Sequence, residues 1–397
     1  MIDFDFQNPT RIVFGRKAEN KIAAMLKEYG LKNVLLVYGG GSIKASGLYG
    51  RLAKILDEAD IAHHDFGGIT PNPDKRFCLS GVKMARELAV DGVLAIGGGS
   101  VIDVAKSIGV GFYYDGDPFD FNLHKSKPTK TLPLGVILTI SAAGSESSNS
   151  CVISDEGKNL KSGFNSDLIR PAFAIEDPEL TFTVSPYQTA CGIADIMMHS
   201  LERFFNESGP YQLSDEWALG LCRNVMEAGK AALKDPRDYE ARAALMIASS
   251  LSHDGLTSIG KKQVFVVHPL EHAVSGLFPR VAHGAGIAVC YLGWAGYLAK
   301  KYPSKFAAIA RRLFDIVGDD EGKVAIMGVV AMRDFYESIG LPTSLEEFKI
   351  SESDLPDLVS LASGNGTHVI GCCPQSLNEE DIKAIYALCL GNGRISL

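Results

Sequence analysis

Short apolar runs alternate with amphipathic segments in the first half of the chain. Runs such as 33–38 and 92–96 are apolar almost throughout and end in glycine-rich turns. The segments between them, for example 45–59 and 74–90, repeat apolar residues at the spacing of one helix face. Strands that are apolar throughout are buried on both faces, which is typical of a parallel sheet covered by helices. The pattern therefore predicts a Rossmann-like α/β domain over residues 1–184.

The strand pattern ends near residue 184, and helical spacing dominates the second half. Ser185 and Pro186 are typical of a helix N-cap and first turn. Apolar residues then recur at helical spacing from Ala190 to Phe205. We expect an all-helical domain over residues 185–397. Further helical patterns cover residues 213–233, 238–257, 260–277, 284–301, 321–339 and 379–391.

Composition narrows the class of protein. The 397 residues include 39 Lys+Arg and 47 Asp+Glu, for a formal charge of −8, which argues against nucleic-acid or anionic-membrane partners. No run of 18 apolar residues occurs, so no membrane span is predicted. The eight cysteines form no CxxC pair, and the N-terminus is acidic rather than basic. These features favour buried thiols in a reducing compartment, and we expect a cytoplasmic protein.

A Gly-Gly-Gly-Ser turn at 97–100 links a predicted strand to a predicted helix. Glycines allow the backbone to approach a phosphate, and the free N–H groups of a helix start favour negative charge. Gly98, Gly99 and Ser100 are therefore candidate cofactor-binding residues. A tight turn with a capping box between Ser100 and Asp103 is the alternative, and the two interpretations are compatible. The chain lacks both the GxGxxG fingerprint and the P-loop motif.

A second Gly-Gly-Gly-Ser turn, at 39–42, ends the preceding strand of this pattern. Gly39, Gly40 and Ser42 are candidate contacts to a phosphate or ribose, although a plain turn is the alternative. NAD-preferring folds place an acid near this point to hold the ribose 2′-hydroxyl. No acid follows here before Asp57, which favours NADP(H) over NAD(H).

Metal-binding residue types cluster in the helical half. Asp195 and His199 are four residues apart, as are His268 and His272, and His283 follows shortly after. Residues at i and i+4 share a helix face, so each pair can converge on one point. Imidazole and carboxylate ligands without thiolates suit Fe²⁺, Zn²⁺ or Mn²⁺.

The segment 268–272 also fits a pattern from a different class of enzyme. His268, Glu271 and His272 match the H-x-x-E-H motif of inverted zinc metallopeptidases. In such a hydrolase the two histidines bind zinc and the glutamate activates water. This alternative gives no role to the two glycine-rich turns or to Asp195 and His199.

Taken together, these motifs resemble the iron-dependent (group III) alcohol dehydrogenases over roughly residues 5–390. The Phe-x-x-Pro-Thr-x-x-x-Phe-Gly opening at 6–15 and the segment 38–42 are most similar to the butanol dehydrogenase-like, NADPH-dependent aldehyde reductase branch. The matching motifs occupy residues 70–73, 97–106, 195–199, 268–272 and 283–286.

The resemblance implies a fold, a reaction and a set of site residues. The fold is a dinucleotide-binding α/β domain followed by a helical metal-binding domain, in a dehydroquinate synthase-like architecture. The reaction is hydride transfer between NADP(H) and a small alcohol or aldehyde. The implied ligands of one divalent ion, Fe²⁺ or Zn²⁺, are Asp195, His199, His268 and His283.

The resemblance also assigns roles outside the ligand set. It makes His272 a catalytic proton relay beside the ion, and it places Asp103, a further candidate catalytic residue, near the nicotinamide with Lys161. It implies a homodimer that pairs through the N-terminal strand at 11–14. Further cofactor contacts are implied for Asn72, Thr139 and Ser141.

Overall fold

The computed structural model describes residues 2–207, 209, 212–366, 369–371 and 373–391. The chain forms two compact units. One unit contains Gln7–Val184 together with Arg237–Asp254. The other contains the segment up to Phe6, Ser185–Pro236 and the chain from Gly255 onward.

The first unit is built on a six-stranded sheet in which every pairing is parallel, with the order β1-β8-β5-β4-β2-β3. A separate antiparallel hairpin is formed by β6 and β7. The predicted parallel α/β domain is confirmed, while the hairpin has no counterpart in the sequence prediction. The strands are β1 (Arg11–Phe14), β2 (Asn33–Gly39), β3 (Ala62–Ile69), β4 (Gly92–Gly97), β5 (Leu134–Leu138), β6 (Ser150–Asp155), β7 (Leu160–Asn165) and β8 (Phe173–Glu176).

Helices cover both faces of this sheet, as the apolar strands require. Alternate residues of β2 enter different hydrophobic clusters: Leu35 and Val37 belong to one, and Val34 and Leu36 to the other. The α-helices of the chain are α1 (Ile22–Glu28), α2 (Ser42–Ala45), α3 (Leu48–Glu58), α4 (Lys75–Glu87), α5 (Gly99–Gly111), α6 (Phe119–Asn122), α7 (Pro186–Phe205), α8 (Leu213–Lys234), α9 (Tyr239–His253), α10 (Val267–Leu277), α11 (His283–Leu298), α12 (Pro303–Phe314), α13 (Glu321–Ser338), α14 (Leu355–Ala362) and α15 (Glu379–Cys389).

The register of the sheet brings the glycine-rich turns to one edge. β2 pairs with β4 so that Tyr38 lies opposite Ile96, and β4 pairs with β5 so that Gly97 lies opposite Leu138. The turns at 39–42 and 97–100 and the loop after β5 therefore follow neighbouring strand ends. The carboxyl ends of parallel strands are where open α/β sheets bind ligands.

The helices α9 and α10 differ from the sequence expectation, and α12 and α14 have no counterpart in it. The helix α9 lies within the expected helical domain of 185–397, but it packs in the unit that contains the sheet. The helix expected over 260–277 begins only at Val267, and Gly260 has a positive φ of 75° that no α-helix adopts.

The second unit is helical, as predicted, and α7 and α11 cross at close range within it. An ideal Cβ added to Gly284, the second residue of α11, would lie 2.0 Å from the carbonyl oxygen of Cys191 in α7. Only glycine permits this approach, which brings the start of α11 against α7. Within the described part of the chain, every helix is too short or too polar to span a bilayer.

Candidate active site

The predicted metal ligands converge in the helical unit. Asp195 and His199 lie one turn apart on α7, while His268 is on α10 and His283 begins α11. The Asp195 Oδ1 atom lies 3.5 Å from His199 Nδ1, 3.7 Å from His268 Nε2 and 3.8 Å from His283 Nε2. Three imidazoles from three helices thus surround one oxygen of the Asp195 carboxylate.

The donor atoms of this group fit a divalent cation. Among the described residues, the buried atoms Asp195 Oδ1 and His268 Nε2 have no hydrogen-bond partner. Unpaired buried polar atoms are costly unless a ligand or ion completes them. Three imidazoles and one carboxylate also match the donor set of Fe²⁺ or Zn²⁺. The residues therefore fit the metal that the sequence predicts.

A buried carboxylate that the sequence analysis missed orients His268. The Nδ1 atom of His268 is hydrogen-bonded to Glu202, whose Oε1 also accepts the N–H groups of Val266 (2.5 Å) and Val267 (2.6 Å). With Nδ1 donating to Glu202, the Nε2 atom of His268 is the free donor toward a metal. Burial lowers the pKa of His268, but Glu202 and Asp195 outweigh it and raise the pKa to about 9.

A second missed carboxylate does the same for His283. Glu271 is fully buried, and its Oε2 atom is hydrogen-bonded to Nδ1 of His283, which leaves Nε2 toward Asp195. A sequence signal existed for both acids. Glu202 follows Asp195 by seven residues and so shares its helix face, and Glu271 lies between the paired histidines of α10.

The structure places His272 beside this group and half-buried. Its ring centroid lies 6.3 Å from that of His268 and 5.7 Å from that of His283. Glu271, His272 and His283 also have ligand atoms within 4.8 Å of one another. The proton-relay role of His272 stays a prediction.

In the α/β unit, the turn at 97–100 opens α5 with no side chain capping it. An ideal Cβ on Gly98 would lie 2.2 Å from Cγ2 of Ile140, so the backbone is tightly packed there. The alternative interpretation, a capping box between Ser100 and Asp103, is wrong. Ser100 already lies inside α5, whose N-cap is Gly98, and Asp103 instead accepts hydrogen bonds from Ser145 Oγ (2.6 Å) in the loop after β5 and from Val152 N (2.9 Å) in β6.

Other predicted cofactor residues also lie near the strand ends. The Lys161 ammonium donates to Asn72 Oδ1 at 3.0 Å, which joins two predicted contacts, and Asn72 has a positive φ of 50°. The N–H of Thr139 donates to Gly97 O at 3.1 Å, which places Thr139 beside the phosphate turn. Ser141 follows two residues later in the same loop.

A cation lies close to the turn at 39–42. The Lys44 ammonium is 5.1 Å from the ring centroid of Tyr38, 4.8 Å from that of Tyr49 and 3.9 Å from Asp65 Oδ2. The Tyr49 hydroxyl also donates to Asp65. The nearest carboxylate on the neighbouring strand is therefore already engaged by a hydroxyl and an ammonium group.

Comparison with protein families assigns both units. Residues 9–178 match the family described as iron-containing alcohol dehydrogenase, and residues 189–390 match the C-terminal part of the Fe-containing alcohol dehydrogenase family. The chain belongs to the iron-containing alcohol dehydrogenase family. It is accordingly an NAD(P)H-dependent oxidoreductase, as the sequence resemblance implied.

Individual members of this family match over nearly the whole chain. NADH-dependent butanol dehydrogenase A of Clostridium acetobutylicum is 39% identical over 97% of this chain and 99% of that protein. The NADPH-dependent aldehyde reductase YqhD of Escherichia coli is 31% identical over 94% and 95%. The crystal structure of butanol dehydrogenase A from Thermotoga maritima has a TM-score of 0.94, at 34% identity over 98% of this chain and 99% of that one.

Within this iron-containing alcohol dehydrogenase, the hydrolase alternative finds no support. A metallopeptidase of the H-x-x-E-H type needs a glutamate free to activate water. Here the Glu271 carboxylate is fully buried and is hydrogen-bonded to His283. The motif at 268–272 is accounted for by one predicted ligand, one carboxylate that orients His283 and one adjacent histidine.

Proposed function

We propose that this iron-containing alcohol dehydrogenase interconverts small aldehydes and alcohols, with one divalent ion held by Asp195, His199, His268 and His283. The observation that carries the proposal is the convergence of three imidazoles on one oxygen of Asp195. The ion is Fe²⁺ or Zn²⁺, since both suit this donor set.

When bound, the ion supplies Lewis acidity toward a carbonyl oxygen, and the reduced nicotinamide supplies a hydride. The chain's own residues supply position and protons. Glu202 and Glu271 fix the ring orientation of His268 and His283, so their Nε2 atoms face Asp195. His272, half-buried beside them, has an imidazole suited to passing a proton at near-neutral pH. Its place near the ligand set supports the role of proton relay to the substrate oxygen.

We further propose that NADP(H) is the preferred cofactor. The turn at 39–42 offers no carboxylate to repel a 2′-phosphate, and the Lys44 ammonium lies nearby. Gly39, Gly40 and Ser42 would contact the adenosine end, while Gly98, Gly99 and Ser100 would bind the pyrophosphate. The relatives differ on this point, because the butanol dehydrogenase is named as NADH-dependent and YqhD as NADPH-dependent.

Gly39→Asp tests this preference. An ideal Cβ at Gly39 meets only Ile69 O, at 3.5 Å, so the new side chain has room. The carboxylate repels a 2′-phosphate and can accept from a 2′-hydroxyl, so NADPH affinity should fall much more than NADH affinity. Dissociation constants are measured by nicotinamide fluorescence. Tighter binding of NADH than NADPH by the unmodified protein would contradict the proposal.

The remaining cofactor assignments belong to the same proposal. We place Lys161, Asn72, Thr139 and Ser141 along the cofactor, and Asp103 near the nicotinamide as a further catalytic candidate. Their support is the joined pair Lys161–Asn72 and the position of Thr139 beside the turn at 97–100.

The proposed assembly is a homodimer that pairs through β1. Within the described residues, β1 is an edge strand that pairs only with β8, and Ile12 is 39% exposed. Edge strands offer unpaired backbone groups to a second strand. The mass of the protein in solution tests this assembly. The cytoplasmic location stays a prediction.

An aldehyde panel tests the activity itself. With short aldehydes, we expect the absorbance of the reduced nicotinamide to fall. In His268→Ala, we expect this absorbance to stay constant. Peptide hydrolysis without nicotinamide turnover would overturn the proposal.

A further inference from the structure

A buried polar cluster joins α9 to the sheet and to the loop after β5. It consists of Glu146 in that loop, Glu176 at the end of β8, and Ser249 and Ser250 on α9, and all four are at most 1% exposed. None of these residues is among the predicted site residues. The cluster also accounts for the unexpected place of α9 in the α/β unit.

The hydrogen bonds of Ser250 require a proton on one of the two glutamates. The Ser250 Oγ atom lies 2.7 Å from Glu146 Oε1 and 2.7 Å from Glu176 Oε1. A hydroxyl carries one hydrogen and can donate to only one of these oxygens. An ionised carboxylate cannot donate, so the second contact must come from a protonated carboxyl group. Two ionised carboxylates around one buried hydroxyl would leave an unsatisfied contact and a like-charge repulsion.

The surroundings place this proton on Glu176. Burial raises the pKa of Glu146, but its Oε1 accepts hydrogen bonds from both Ser250 and Ser249 (3.2 Å), and these bonds and the Lys106 ammonium on α5 favour its ionised form. Among the described residues, Glu176 Oε2 has no hydrogen-bond partner. Burial and the charge of Glu146 raise the pKa of Glu176 to about 8.

The other neighbours of Glu176 do not favour its ionised form. Its strand partners, Phe14 in β1 and Leu138 in β5, carry no charge. The next residue, Asp177, adds a carboxyl group whose own pKa is raised by burial. On α9, His253 faces the loop through its bond to Ala143 O. The protonated Glu176 therefore donates to Ser250, and Ser250 donates to Glu146.

The same face of α9 holds the loop after β5. Ser249 Oγ accepts the N–H groups of Ala142 and Gly144, at 3.2 Å each, and His253 Nδ1 bonds Ala143 O at 2.8 Å. Gly144 has a positive φ of 64°, and a Cβ there would lie 2.5 Å from Ser249 O. The loop is therefore fixed along three successive residues.

The opposite side of this loop packs against the turn at 97–100. Ile140 and Ala143 are the side chains that a Cβ on Gly98 and Gly99 would meet, at 2.2 and 3.0 Å. The loop thus lies between α9 and the candidate phosphate turn. A shift of α9 would therefore move the loop and, through it, the turn.

We propose that the Glu176–Ser250–Glu146 cluster holds one proton in the native state and thereby positions the loop that carries Thr139 and Ser141. Glu146, Glu176, Ser249 and Ser250 are positioning residues in this account. The loop's role toward the nicotinamide cofactor rests on the proposed function, whereas the proton does not.

Infrared difference spectra of wild type against Glu176→Gln test the proton directly. We expect a protonated-carboxyl carbonyl band in the wild-type protein at neutral pH, lost in Glu176→Gln. The exposed Glu58→Gln in α3 is the matched control and should keep the band. Absence of the band in wild type, or its survival in Glu176→Gln, would overturn the proposal.

The pH dependence of stability gives a second test of the proton. The pKa of Glu176 is raised from 4.5 to about 8, so its stabilising proton is fully retained below 4.5 and lost as pH rises through about 8. The carboxamide of Glu176→Gln can donate to Ser250 at every pH. The melting temperature of Glu176→Gln should therefore rise relative to wild type between pH 5 and 8. Parallel melting curves would contradict the shared proton.

Nucleotide binding tests the positioning step. Ser249→Ala leaves the N–H groups of Ala142 and Gly144 without their acceptor, so NADPH affinity should fall roughly tenfold while metal content is unchanged. Glu58→Gln, whose exposed side chain lies outside the cluster, should keep wild-type affinity. Equal affinity in Ser249→Ala and wild type would overturn the positioning role. Absence of NADPH binding by wild type would instead contradict the proposed function. The infrared result would then decide by itself whether the cluster holds a proton.

Discussion

Replacing Glu202 by glutamine should weaken metal binding while the protein stays folded. The carboxylate serves three donors with its two oxygens: Val266 N and Val267 N on Oε1, and His268 Nδ1 on Oε2. A carboxamide has the same shape but only one acceptor oxygen. Either His268 or the two backbone N–H groups must therefore lose their acceptor.

Either orientation of the glutamine is costly. If the amide nitrogen faces His268, the ring must accept at Nδ1 and carry its proton on Nε2, the atom expected to bind the metal. If the oxygen faces His268, two buried N–H groups lose their acceptor, at about 1–3 kcal/mol each. Loss of such an orienting partner typically lowers metal affinity about 10–100-fold. That range corresponds to about 1.4–2.7 kcal/mol of binding free energy.

Chelator competition measures the affinity of wild type and Glu202→Gln for Zn²⁺ or Co²⁺, and circular dichroism checks the fold. Glu227→Gln, whose side chain on α8 is 72% exposed, is the matched control and should bind like wild type. Unchanged affinity in Glu202→Gln would refute the orienting role and the ligand assignment of His268 that depends on it.

Two further substitutions test the account: His272→Asn separates metal binding from turnover, and Gly284→Ala tests the packing of α11 against α7. His272→Asn should keep its metal while kcat falls about 10²–10⁴-fold, as loss of general acid–base catalysis typically does; metal loss in step with activity would make His272 a ligand. Gly284→Ala should lower both the melting temperature and metal occupancy, because the added Cβ would lie 2.0 Å from Cys191 O and displace the start of α11 with His283. Such overpacking costs about 1–3 kcal/mol. Gly220→Ala in α8 meets no atom within 4 Å and should be neutral or stabilising, so equal losses in the two variants would contradict the packing argument.

Local patterns in the sequence were sufficient for much of the fold. Apolar strands followed by glycine turns predicted the parallel sheet, because burial on both faces leaves a continuous apolar run. The spacing of Asp195 and His199, and of His268 and His272, predicted shared helix faces. The resemblance to a known family then selected Asp195, His199 and His268, together with His283, as ligands.

Features that depend on contacts between distant parts of the chain could not be predicted from local sequence patterns. The periodicity of α9 predicted a helix but not which unit it would pack against, since Ser249 and Ser250 look like surface residues without the loop and Glu176 beside them. The spacing from Asp195 puts Glu202 on the same helix face, but the partners of Glu202, His268 and the backbone before it, lie more than 60 residues away in the sequence. The alternative of a helix cap at Asp103 fails because its actual donors, Ser145 and Val152, are distant in sequence.

Metal dependence of nicotinamide turnover tests the central claim most directly. The enzyme is stripped of metal, shown to bind NADPH still, and assayed with a short aldehyde before and after reloading with Fe²⁺ or Zn²⁺. The account predicts no turnover without metal and full recovery near one equivalent of ion per chain, with none in reloaded Asp195→Ala. Turnover by the metal-free protein at the reloaded rate, or recovery in Asp195→Ala, would contradict it.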